Sequence, residues 1–174
     1  MRSFFLFILL IFISCQRERV EDLLSRAGLP DQESWGVTII LTDQGMMRAK
    51  VQSGHLEKYN DRAFVLLDSS VIVDFYDDKE QHTSVLTSDK AEVDQSSNDM
   101  KAIGNVVAVS DSGITLYTNT LTWSSREEKL RTKDNIMITT EKADSLYGVG
   151  FESDSDLKNW RILNPSGVTG REFK

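Results

Sequence analysis

The chain has 174 residues, with 27 acidic against 20 basic, a formal net charge of −7 and a pI near 4.9. That balance excludes nucleic acid and an anionic membrane surface as main partners, because both select cationic proteins. A single cysteine excludes an internal disulfide, so a hydrophobic core has to hold the fold.

The first element is Arg2 followed by an unbroken apolar run from Phe4 to Ile13. A spanning helix needs roughly 20 apolar residues. This run is about half that length and charged "QRER" follows it, so it reads as the apolar region of an export signal. Phe12-Ile13-Ser14-Cys15 resembles the lipobox of bacterial lipoproteins, with Phe12 where Leu, Val or Ile is usual. The resemblance implies a signal peptide over 1–14 and acylation of Cys15, which anchors the chain to a membrane. Each buried CH₂ of such an anchor contributes about 0.8 kcal/mol. The competing reading is an ordinary signal peptide with an incidental thiol. Residues 15–34 predict a polar, flexible tether. Its one helical phrase, Val20 to Ala27, ends at Gly28 and Pro30 and is too short to be stable alone.

From Trp35 the pattern becomes strands. Val37–Leu41 is β-rich and ends at Asp43-Gln44-Gly45. Met47–Gln52 alternates up to Ser53-Gly54, and Val71–Tyr76 stops at Asp77-Asp78. Short phrases continue to Ile162, punctuated by Asp111-Ser112-Gly113, Ser124-Ser125-Arg126 and Lys133-Asp134-Asn135. About fifteen short strands are predicted, with no helical periodicity and no proline between Pro30 and Pro165, hence an antiparallel all-β domain over 35–174.

A faint repeat runs through it. "LTSDKAEV" (86–93) aligns with "LYTNTLTW" (116–123) at an offset of 30, and the register extends to Met100 with Leu130 and Val106 with Ile136. "VQSGHLEK" (51–58) reads as an earlier copy. Such units stack into solenoids or rolls. Leu130, Ile136 and Ile138 share one parity, as do Met100, Val106 and Ala108, while Lys101, Arg131 and Lys133 take the other. One sheet face is therefore apolar and the other wet. The apolar face is either a filled core or an open trough.

Catalytic and metal patterns are missing. His55 and His82 have no ligand spacing, and there is no nucleophile elbow. Asp77-Asp78 and Asp154/Asp156 sit at turn signals, where Asp serves the backbone. "FESDSD" (151–156) lacks the spacing of a calcium loop, and Gly148-Val149-Gly150 opens no helix. No enzyme, metal or cofactor is expected.

Three stretches carry a family resemblance. "LTSDKAEV…MKAIGNVVA" with its return "LYTNTLTW…KLRTKDNI", and "LYGVGFESDSDLKNWRI" (146–162), are similar to the OstA/LptC group. "SWGVTIILTDQGMMRAKVQSGHLEKY" (34–59) before "VIVDFYDD" (71–78) resembles LptC in particular. The resemblance covers about residues 34 to 165, although Asp134-Asn135 replaces Gly104-Asn105 in the second repeat. It implies an open β-jellyroll in the periplasm, anchored to the inner membrane, though which membrane holds the anchor stays open. It further implies a domain that receives lipopolysaccharide from an LptBFG-type ABC transporter and passes it to an LptA-like bridge protein. Leu86, Val106, Leu116, Leu121, Trp123, Leu130, Ile136 and Phe151 are the expected lining. By the same analogy, Val37–Leu41 faces the transporter, and Lys158, Asn159, Trp160, Arg161, Ile162 and Leu163 offer an edge strand to the bridge protein. The alternative is a β-roll surface lipoprotein that binds only proteins.

Overall fold

The structure is a computed structural model that describes residues 28–141 and 144–166. The predicted signal peptide, Cys15 and most of the tether lie outside the described residues. Among the described residues ten strands follow in order: β1 (Gln32–Asp43), β2 (Met46–Tyr59), β3 (Phe64–Tyr76), β4 (His82–Ser88), β5 (Lys90–Asp94), β6 (Met100–Ser110), β7 (Thr115–Ser124), β8 (Lys129–Thr139), β9 (Ser145–Asp154) and β10 (Arg161–Ser166). They form one antiparallel sheet in the order β1-β2-β3-β4-β6-β7-β8-β9-β10, with β5 pairing β3 and β6. β4 and β5 are two halves of one strand path, interrupted at Asp89.

The strands are fewer and longer than the turn signals predict. Asp43-Gln44-Gly45, Asp77-Asp78 and Asp111-Ser112-Gly113 do turn the chain. Ser53-Gly54 and Lys133-Asp134-Asn135 do not: β2 and β8 run straight through them with a shift of register. Gly104-Asn105 likewise lies inside β6, with φ of 79° and 47°. These residues make bulges, which bend a strand and raise its twist. The bends line up across the sheet. Ser53/His55 in β2 faces Ser69 and Ser70 in β3, whose φ values are 59° and 72°. Asp89 follows, then Gly104-Asn105, the shift between Thr118 and Thr122, the shift between Thr132 and Asn135, and Gly150 at φ 80°.

A fold line therefore crosses the sheet and divides it into two half-sheets. At Gly104 the bend leaves no room for a side chain, because an added Cβ would meet the Asp89 carboxylate at 2.5 Å. Asn105 donates its side-chain amide to that same carboxylate at 2.9 Å.

The sheet closes face to face about this line. In the first half-sheet a cross-strand row runs Ile39–Val51–Val73–Leu86–Ala108–Leu116–Ile138–Leu146. In the second, Val65–Val93–Met100–Trp123–Leu130–Ser153 forms another row. The rings of Phe75 and Trp123 meet edge to face with centroids 5.5 Å apart, although β3 and β7 are not hydrogen-bonded neighbours. The inner rows of both halves therefore make one core. The repeat is explained by this layout. Val51, Leu86 and Leu116 recur in one row every second strand, and Met100 and Leu130 flank Trp123 in the other.

Candidate functional site

All eight residues of the expected lining point inward. Leu86, Val106, Leu116, Leu121, Trp123, Leu130, Ile136 and Phe151 are buried in one cluster and packed against one another. Lys101 and Lys133 are exposed on the opposite face and Arg131 is half-buried there, as the alternation requires. The outer face is drier than expected. Ile72, Tyr117 and Tyr147 share an outward row with Val107 and Met137, and all three are exposed.

The free margin of the two half-sheets, opposite the fold line, forms a mouth. Its first lip is the β3–β4 turn and its second is made of the β7–β8 turn and the β9–β10 loop. Arg48 of β2 reaches Asp78 on one lip at 3.5 Å and Glu128 on the other at 3.4 Å. Ser84 donates its hydroxyl to the Ser155 carbonyl, and Ser110 donates to the Asp156 carbonyl at 2.8 Å. Leu157, in the same loop, is fully buried at φ 56°. An open cleft of about 310 Å³ at the mouth is lined by six carboxylates, Asp77, Asp78, Glu127, Glu128, Asp154 and Asp156, and by Arg48, Lys129 and Lys158. Two buried polar atoms just inside, Trp123 Nε1 and Ser153 Oγ, have no hydrogen-bond partner.

Asp154 and Glu127 on the second lip are held below the ordinary carboxylate range. Lys129, and then Asn159, hydrogen-bond Asp154 and lower its pKa. Arg131 lowers Glu127 and Glu152 in the same way, and Arg161 adds to the effect on Glu152. The Glu127–Arg131–Glu152–Arg161 ladder runs across the outer face and ties β10 to the sheet.

β1 and β10 are the sheet's edges, and among the described residues neither has a second partner strand. β1 is long and carries Trp35 and Ile40, 70% and 58% exposed; β10 carries Leu163, 48% exposed. Of the expected edge residues, Arg161, Ile162 and Leu163 stand on β10. Lys158, Asn159 and Trp160 are in the loop before it, which is a correction. The loop closes on itself there: the Leu157 amide bonds the Asp154 carbonyl, the Lys158 amide bonds the Asp156 carboxylate, and Asn159 bonds the Asp154 carboxylate. Pro165 sits on β10, where an edge strand tolerates a residue without an amide proton.

The sequence concealed one polar cluster. Glu33 and Glu57 are directly opposite on β1 and β2, and His55 Nε2 lies 3.5 Å from Glu33. Asp68 meets the other ring nitrogen at 3.1 Å, and Trp35 covers the imidazole. Glu33, His55 and Glu57 each offer one ligand-type atom, and these atoms fall within 4.8 Å of one another. Linear spacing hides them because cross-strand pairing brings them together.

No curated protein matches the chain. Among solved structures, LptH, the LptA-homologous periplasmic component of the lipopolysaccharide transport device of Pseudomonas aeruginosa, is similar with a TM-score of 0.54. The likeness covers 76% of this chain and 94% of that one at 15% identity, so it speaks to the fold, an LptA-like jellyroll. A family model described as "Lipopolysaccharide-assembly, LptC-related" matches residues 36–170. The chain belongs to the LptC-related family of lipopolysaccharide-assembly proteins.

Proposed function

We propose that this chain is a membrane-anchored periplasmic carrier in a lipopolysaccharide bridge. It receives the lipid from an LptBFG-type ABC transporter at the inner membrane and passes it to an LptA-like jellyroll. Cys15 carries the anchor. The observation that carries this reading is a folded sheet whose two edges have no second partner strand among the described residues, around a continuous apolar interior, in a chain of this family. Edge-to-edge addition would extend that interior from one domain into the next, with backbone hydrogen bonds supplying affinity at little demand on sequence. β1 would face the transporter, and β10 the bridge protein. An exposed edge is otherwise an aggregation hazard, so its exposure supports a dedicated partner.

Transport here needs no covalent chemistry. An acyl chain is kept from water at about 0.8 kcal/mol per CH₂, and the transporter's ATPase supplies the work. Leu86, Val106, Leu116, Leu121, Trp123, Leu130, Ile136 and Phe151 are the surface on which acyl chains would lie.

A second reading has one observation in its favour: the interior is closely packed in this state. A β-roll lipoprotein that binds only proteins would look the same. Mass spectrometry of lipid extracted from the purified full-length protein separates the two. Bound lipopolysaccharide at near one per chain is expected; a lipid-free protein that still captures an LptA-like partner would favour the second reading.

A further inference from the structure

Among the described residues the mouth is a margin along which the two half-sheets could part without breaking the backbone ladder, since the fold line joins them continuously on the other side. Yet it is bridged. The β9–β10 loop, Ser155–Trp160, belongs to the second half-sheet and reaches across to the first. Its two contacts there are unusual in kind: the neighbouring hydroxyls of Ser84 and Ser110, paired across β4 and β6, each bond one backbone carbonyl of the loop. Leu157 plugs the gap behind them, in a left-handed conformation that a leucine seldom adopts. Arg48 repeats the crossing nearby, touching both lips.

The apolar contact of the inner rows holds the half-sheets together, but the crossing at the mouth adds little to it. Backbone strain at Leu157 and the unpaired Trp123 Nε1 and Ser153 Oγ all count against the closed state. The polar crossing rests on two neutral hydrogen bonds and one ion pair, Arg48–Glu128, whose acidic partner is exposed, each a weak interaction.

We propose that the β9–β10 loop is a latch: closed it seals the interior with Leu157, and its release parts the half-sheets and admits acyl chains between them. The proposal rests on the lipid-carrier reading and adds the route and its control. Chains pass between Ser84 and Ser110 on one side and Ser155 and Asp156 on the other. The acidic rim repels phosphate, so the head group stays outside while the chains enter.

The test uses the full-length chain carrying Cys15→Ser, so that introduced thiols stand alone. Asp78→Cys and Glu128→Cys place one thiol on each lip, and a short bifunctional thiosulfonate bridges them. The protein is incubated with lipopolysaccharide micelles, reisolated, and its bound lipid measured by mass spectrometry. The bridged form is expected to load at least about tenfold less than the same variant after reduction, a difference equal to about 1.4 kcal/mol. Equal loading in both forms overturns the latch and leaves the carrier reading standing. No loading in either form, or in the unsubstituted chain, overturns the carrier reading and the latch with it.

A second variant works without lipid. Ser84→Ala with Ser110→Ala removes both hydroxyls at little cost in volume. Its circular dichroism should match the parent, while amide exchange across Ser155–Trp160 speeds up by a similar factor. Unchanged exchange in that loop overturns the latch.

Discussion

At the scale of single residues, the molecule is set by two kinds of position: inward apolar side chains and residues that bend a strand. The first kind is legible from alternation. Leu130 and Ile138 are fully buried, as their shared parity implies. Leu130→Ala should cost about 2–5 kcal/mol in urea unfolding, the range for emptying a packed leucine site. The second kind is harder to read, because a bend and a turn draw on the same residues. Gly104 holds a positive φ beneath the Asp89 carboxylate. Gly104→Ala should destabilise by about 1–3 kcal/mol, the cost of a side chain held in a left-handed conformation, and Asp89→Ala in the same protein should recover part of that loss.

Acid sensitivity also belongs to this scale. Lys129 and Asn159 hold the Asp154 pKa below its ordinary value. A carboxyl with a depressed folded pKa adds stability that is complete above the unfolded value, about 3.9. That stability is lost as pH falls through the folded value. Urea midpoints should therefore drop below about pH 4, and Asp154→Asn should show a smaller drop. Asp77, Asp94, Glu127 and Glu152 shift in the same direction, so part of the drop should persist.

At the scale of elements, the sequence names the sheet correctly and divides it wrongly. Ser53-Gly54 and Lys133-Asp134-Asn135 have turn chemistry, yet β2 and β8 continue through them. Local composition specifies φ and ψ, whereas only the neighbouring strand decides whether the chain reverses or merely bends. The same limit hid the β9–β10 loop. Ser84 and Ser155 are 71 residues apart and share no pattern. Lys158, Asn159 and Trp160 are expected on the edge strand by family analogy, but the Asp156 and Asp154 side chains hold Lys158 and Asn159 in a loop. The edges themselves yield a direct expectation. A photoreactive residue at Leu163 on β10 should crosslink to an LptA-like partner, and one at Tyr117 on central β7 should not. Crosslinks at Tyr117 alone would place the interface on the outer sheet face, where Tyr117 and Tyr147 are exposed.

At the scale of the whole molecule, one sheet folded along one line produces an apolar interior, two edges and a mouth. In the proposed bridge the edges would join this domain to its neighbours, and a released latch would open the mouth to the interior. Composition anticipated the core, since a chain with one cysteine has no other means of holding together. It could not anticipate whether that core also serves as a surface for acyl chains, because a leucine facing a leucine and a leucine facing a lipid have the same periodicity. The central claim is that the inner rows are that surface. The most direct measurement places a benzophenone side chain at Trp123 and at Phe151, where an aromatic ring already fits, with Lys101 and Arg131 as outward controls. After irradiation with lipopolysaccharide, the account predicts lipid crosslinks at Trp123 and Phe151 and none at the controls. Crosslinks only at Lys101 or Arg131, or none at any position in a folded protein, would contradict it.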